Sequence, residues 1–270
     1  MDSTPSAPVP LHAATVLLLR PAQPQLQVLM VVRHEQIDFA SGALVFPGGK
    51  VDAADADPAL AEHLTGPEGL ETAARALRVA AIREAFEECG VLLARERGSA
   101  QTLPAARLLT LEACRAQLAA GELTMLELVT RERLVLAADL LVPFSHWVTP
   151  GFMPKRFDTW FFLARAPEDQ IAVHDGGELV DSVWISPATA LEDLAEKRRT
   201  ILFPTRLNLM MLDESRTDDE ALAAARTRPI KAVEPWIVER EGKRWLNIDR
   251  DAGYALCEVP ASPGRPARNG

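Results

Sequence analysis

Short aliphatic runs punctuated by turn residues fill the first fifty positions. Residues 12–20 and 26–33 are β-rich and are separated by Pro21-Ala-Gln-Pro24, which predicts two strands around a turn. Residues 43–46 predict a third strand, halted by Pro47-Gly48-Gly49. A helix is predicted over 71–89, where Val79, Ile82 and Phe86 share one apolar stripe and Gly90 supplies a left-handed cap. Helical periodicity returns at 111–120 and 123–130, inside a stretch of about 95–140 that reads as a helical insert. Further strands are predicted at 145–149, 157–165 and 182–186. Helices are predicted from Pro187 to about 197 and from Pro204 to about 212, and a hairpin over 235–248 turning at Glu241-Gly242-Lys243. Strands and helices interleave, so the expected class is α/β (α+β), a mixed sheet held between helices. Pro-rich ends, 1–10 and 259–270, read as flexible tails around a single domain over 11–258.

Composition narrows the partners. At 48% hydrophobic residues the chain can bury a substantial core. It carries 29 Lys and Arg against 38 Asp and Glu, a net charge of −9, which argues against nucleic-acid and anionic-membrane partners. Three cysteines, Cys89, Cys114 and Cys257, make neither a disulfide framework nor a cysteine zinc site and suit a cytoplasmic location. The apolar run 13–19 is too short to span a bilayer and follows no basic segment, so no signal peptide is expected, and no C-terminal targeting address is expected either. A homodimer remains open.

The chemistry concentrates in Arg83-Glu84-Ala85-Phe86-Glu87-Glu88-Cys89-Gly90-Val91. On a helix, Glu84, Glu87 and Glu88 fall within one arc opposite the apolar stripe. Carboxylates at i, i+3 and i+4 repel one another, and the negative end of the helix dipole adds to the cost. Two readings follow from the residues: a solvated acidic face with Arg83 paired to Glu87, or a set of oxygen ligands for a hard divalent cation.

This segment resembles the second half of the Nudix box, Gly-x5-Glu-x7-Arg-Glu-U-x-Glu-Glu-x-Gly-U, where U is aliphatic. Val45-Phe46-Pro47-Gly48-Gly49-Lys50-Val51-Asp52 looks like the loop that opens it, and Asp55 stands where the family has its first Glu. Residues 56–82 replace the usual seven, so the box at 49–91 carries an insertion at about 56–75, expected to be a surface excursion. The segment from Asp175 through Glu178 and Trp184 to Leu191 looks like the late strand and helix of that family. The split box, Trp147-Val-Thr-Pro150, Arg156-Phe-Asp-Thr159 and the Pro235-Trp-Ile-Val segment are similar to one branch, the acyl-CoA diphosphatases with an interrupted box.

The resemblance implies an α/β/α sandwich and hydrolysis of a nucleoside diphosphate derivative, a small-molecule nucleotide substrate. It implies Mg²⁺ or Mn²⁺ held by Glu84, Glu87, Glu88 and the Gly48 carbonyl, with Arg83 orienting a glutamate and Glu178 approaching the metals. Arg33, Lys50 and Arg156 are the candidate substrate-binding cations. The expected substrate is CoA or an acyl-CoA. ADP-sugars, dinucleotides and NADH are the alternatives, together with a nucleotide-sensing protein that does not cleave. Trp147 and Trp160 read either as adenine-stacking surfaces or as core.

Overall fold

The computed structural model describes residues 8–33, 42–67, 69–170 and 179–261. In chain order the first strands are β1 (Leu11–Arg20), β2 (Gln27–Arg33), β3 (Leu44–Val45), β4 (Gly48–Lys50) and β5 (Leu64–Thr65). Next come α1 (Thr72–Cys89), β6 (Ala94–Glu96), α2 (Ala105–Leu109), α3 (Glu112–Ala119), α4 (Met125–Arg131), β7 (Leu134–Ala137), β8 (Val142–Val148) and β9 (Phe157–Arg165). The chain continues through β10 (Leu179–Ile185), α5 (Pro187–Ala195), α6 (Phe203–Leu212), α7 (Asp218–Thr227), β11 (Ala232–Val233), β12 (Trp236–Arg240), β13 (Lys243–Asn247) and β14 (Glu258–Pro260).

The main sheet runs β10-β2-β1-β9-β8-β11, with β3 paired to β2 and β4 to β1. Its centre is the parallel pair β1–β9, in register from Leu11 opposite Phe157 to Leu19 opposite Arg165. Side chains alternate between faces along a strand. Ala14, Val16 and Leu18 of β1 accordingly meet Val79, Ile82 and Phe86 of α1 on one face. Leu17 and Leu19 point to the other, against Leu207 and Leu209 of α6 and Leu222 of α7. The expected α/β/α layering holds.

Three details differ from the sequence reading. Gly48–Lys50 does not merely halt the preceding strand; it forms β4, antiparallel to Ala13–Thr15 of β1. That pairing needs a bare backbone: a Cβ on Gly48 would sit 2.5 Å from the Ala14 carbonyl oxygen and 2.6 Å from Thr15 Oγ1. The region of about 95–140 is not wholly helical, because β6 and β7 join β5 in a three-stranded sheet. The described residues of 56–75 lie mostly at the surface, as expected, but that sheet and Leu60 tie the insertion to the body of the protein. Leu64 and Thr65 pair with Leu136 and Ala137, and Leu60 is fully buried in the core. The apolar positions of 56–75 are few and aperiodic, and the strand partners of Leu64 and Thr65 lie some seventy residues away, so the pairing leaves no local signature.

Candidate functional site

The last two turns of α1 carry Glu84, Glu87 and Glu88, and β4 lies across them. Glu88 accepts the Gly48 N–H at 2.9 Å through Oε2. Glu84 lies so close to the strand that a Cβ on Gly49 would stand 2.3 Å from its Oε1. The glycine pair is therefore a space requirement: any side chain at 49 displaces the carboxylate. Gly90 ends the helix at φ 69°, with its N–H returning to Phe86.

Arg83 is the hub behind this face. Its Nε and Nη2 donate to Asp55 Oδ1 and Oδ2, both at 3.0 Å, a bidentate pair with Asp55 1% exposed. Nη2 also donates to the Lys50 carbonyl at 2.8 Å, and Nη1 reaches Glu84 Oε1 at 2.9 Å and Glu87 Oε2 at 3.3 Å. Arg83 thus fixes Glu84 and Glu87 against β4 and ties both to the loop after it. Asp55, reading as the first acid of the box, holds the arginine from the opposite side.

A second arginine supports the same turn. Arg115 of α3 donates from Nε to the Glu87 carbonyl at 3.1 Å and from Nη2 to the Glu88 carbonyl at 3.3 Å. A buried guanidinium on the final carbonyls of α1 offsets the negative end of the helix dipole, where the carboxylates crowd. Nothing in the local sequence around Arg115 signals this. Its role follows from where α3 docks.

Burial dominates the electrostatics. It pushes the Glu84 carboxyl up to about 7, against the pull of Arg83, with Glu87 and Asp55 adding to the rise. Glu87 moves upward for the same reason, again opposed by Arg83. Burial works against the charge on Arg83, yet Asp55, Glu84 and Glu87 outweigh it and hold the guanidinium protonated.

The other candidates are placed as follows. Lys50 is exposed on β4. Arg156 donates to the Thr149 carbonyl at 2.9 Å and the Pro8 carbonyl at 3.0 Å, and pairs with Glu234 at 2.7 Å, so all three of its nitrogens already bind protein. Trp147 is core, donating its Nε1–H to Tyr254 Oη at 2.9 Å. Trp160 is half-buried and stacks on His146 with ring centroids 4.4 Å apart. The Arg33 side chain and Glu178 lie outside the described residues. A group not singled out from the sequence is His12, Asp158 and His146: Asp158 bonds His146 Nε2 and lies 3.4 Å from His12 Nδ1. These three come from β1, β9 and β8 and meet only through the strand register.

Among the described residues no three His, Cys, Asp or Glu side chains converge at metal-ligating spacing, and the Arg83 guanidinium is paired with both Glu84 and Glu87. No described helix is long and apolar enough to cross a membrane.

A helix of paired glutamates packed on a glycine strand, inside an α/β/α sandwich, defines the Nudix class. The crystal structure of a Nudix hydrolase from Alicyclobacillus acidocaldarius superposes with a TM-score of 0.67 at 26% identity, covering 82% of this chain and 99% of that one. The NUDT19 Nudix domain model matches residues 68–211, and the chain belongs to that family. Relatives include the human acyl-coenzyme A diphosphatase NUDT19, 30% identical over 63% of this chain and 56% of that protein. The chicken acyl-coenzyme A diphosphatase NUDT19 is 28% identical over 78% of this chain and 67% of that protein. The chain spans little more than half the length of the human relative.

Proposed function

We propose that this chain is a divalent-metal-dependent Nudix diphosphatase that hydrolyses the diphosphate linkage of CoA or an acyl-CoA. The observation that carries the chemistry is the set of three glutamates at the end of α1 beside β4: Glu88 accepts the Gly48 N–H, Glu84 lies against Gly49, and Arg83 bonds both Glu84 and Glu87. The substrate reading rests on the family and on the two vertebrate relatives named as acyl-coenzyme A diphosphatases.

The donor set fits Mg²⁺ or Mn²⁺. It is all hard oxygen, and the burial that raises the Glu84 carboxyl to about 7 is the cost a bound cation offsets. Glu84, Glu87, Glu88 and the Gly48 carbonyl would hold the ions, which supply charge neutralisation on the diphosphate and a water of lowered pKa. The protein's own part is positional. Asp55 clamps Arg83, Arg83 spaces Glu84 from Glu87, and the Gly48 N–H holds one oxygen of Glu88. Lys50 lies on β4 beside this group, available to phosphate oxygens.

Steady-state hydrolysis of CoA, acetyl-CoA, ADP-ribose, NADH and a diadenosine polyphosphate, with Mg²⁺ and with Mn²⁺, tests the proposal. CoA substrates are expected to lead in kcat/KM, and EDTA to abolish turnover. A tenfold preference for any other member, about 1.4 kcal/mol of differential transition-state binding, removes the CoA reading. Full activity in EDTA removes the metal-dependent one.

A further inference from the structure

The chain is acidic overall, yet it contains one run of three consecutive cations, Lys197-Arg198-Arg199. That run forms the turn leaving α5. Lys197 holds a left-handed backbone, φ 60°, just past the helix end, where glycine is the usual residue. The residues that follow dock beside the loop leading into the candidate site. The Thr200 carbonyl accepts the Leu44 N–H at 2.9 Å, and Ile201 is buried in the same apolar cluster as Leu44 and Phe46. Leu44 stands four residues before Gly48, at most about 14 Å of extended chain.

Asp193 of α5 organises the turn. Its carbonyl accepts the backbone N–H groups of Arg198 and Arg199 at 2.8 and 3.2 Å. Its carboxylate accepts Nε of Arg198 at 2.7 Å and Nε of Arg199 at 3.3 Å. Glu196 pairs with a further Arg198 nitrogen, so two carboxylates neutralise that residue. The two Nη groups of Arg199 have no partner among the described residues, and neither has the exposed Lys197. Held at Nε and open at both Nη, Arg199 presents a flat two-donor edge suited to phosphate, and Lys197 adds a point charge two residues away.

A diphosphate held through cations at the glutamates draws nothing from this turn. A second phosphate on the nucleotide does need it: a monoester of charge about −1.5 to −2 at pH 7, which the acidic surface otherwise repels. In CoA that group is the ribose 3′-phosphate. Arg156 cannot serve it, because its three nitrogens already bind protein.

We infer that Lys197 and Arg199 form the subsite for the 3′-phosphate of the adenosine, and so set a preference for a 3′-phosphorylated nucleotide over one lacking that group. This rests on the CoA reading above and adds the residues that recognise its phosphorylated ribose.

The experiment compares kcat/KM for CoA and for dephospho-CoA, which lacks only the 3′-phosphate, in wild type, Arg199→Gln and Lys197→Gly. Neither change threatens the fold: Asp193 keeps Arg198, and glycine relaxes the left-handed backbone at 197. Wild type is expected to prefer CoA at least tenfold, and each variant to bring that ratio below threefold through a higher KM for CoA. A wild-type ratio near one, or a tenfold ratio kept in the variants, overturns the subsite and leaves the CoA reading standing. A wild type that cleaves ADP-ribose but neither CoA compound overturns the CoA reading and the subsite with it.

Discussion

Arg83 and Asp55, twenty-eight positions apart, form a two-pronged ion pair with both prongs at 3.0 Å and the carboxylate out of contact with water. The pair links the loop that opens the box to the helix that closes it, across the whole insertion. Removing one partner of a buried pair strands the other charge, at a cost of about 3–5 kcal/mol. Asp55→Asn is therefore expected to lower the unfolding free energy by several kcal/mol in urea titration. A loss under about 1 kcal/mol contradicts a structural role for the pair.

Glu87→Gln keeps the shape of the side chain and removes the charge. Its kcat is expected to fall by about 100-fold or more, as for other groups acting electrostatically in the transition state. The far-ultraviolet spectrum and melting temperature should remain near wild type, since one member of a crowded carboxylate set is neutralised. Undiminished kcat contradicts the proposed role.

Arg115→Ala removes two hydrogen bonds from the final carbonyls of α1. Loss of a partly buried helix-terminal cation costs up to about 2 kcal/mol. Because Glu87 and Glu88 ride on the same turn, the Mn²⁺ concentration giving half-maximal activity is expected to rise severalfold. Arg115→Lys should recover part of it. A drop in melting temperature with an unchanged metal requirement would leave Arg115 a stabilising residue alone.

Tyr254 is the single tyrosine of the chain, which makes its ionisation readable at 295 nm without interference from another phenol. Burial raises it from 10.0 to about 12, while hydrogen bonds from the polar groups around it pull the other way. Between these values the folded protein keeps a proton that the unfolded chain has lost, so stability falls as pH rises from about 10 to 12. Absorbance should stay phenolic to above pH 11 in the folded protein and change near pH 10 in urea. A native midpoint at 10 contradicts the burial argument.

Leu60 tests whether the insertion is structural. It is wholly buried, and truncation of a buried leucine costs about 2–5 kcal/mol. Leu60→Ala should therefore lower the urea midpoint, and shortening 56–75 to the usual spacing should destabilise the sheet formed by β5, β7 and β6. Wild-type stability in both variants would return the segment to the status of a surface loop.

The central helix and its carboxylates were legible because they obey local rules: Val79, Ile82 and Phe86 repeat at helical spacing, and Gly90 marks the stop. Asp55 was legible by spacing from Gly49, and its place beside Arg83 agrees. Strand β7 was hidden, being short and buried enough to show little alternation, with its partners at 64–65 and 94–96. Helix α7 escaped although Thr217 and Glu220 form a capping box, a sequence pattern that announces a helix start. Arg115, like the cluster of His12, Asp158 and His146, belongs to tertiary contact alone. No window of sequence holds the partners together.

The parallel pairing of β1 with β9 sets a schedule for synthesis as well as an architecture. Strand β1 ends at Arg20 and cannot complete its central pairing until Arg165 has emerged, about 145 residues later. At ribosomal rates of about 5–20 residues per second, that wait is roughly 7–30 s. Throughout it, the Val16-Leu17-Leu18-Leu19 run has no β9 to cover its edge, and an uncovered aliphatic strand is a template for self-association. The same strand that anchors the finished sheet is thus an uncovered aliphatic edge while the chain is being made.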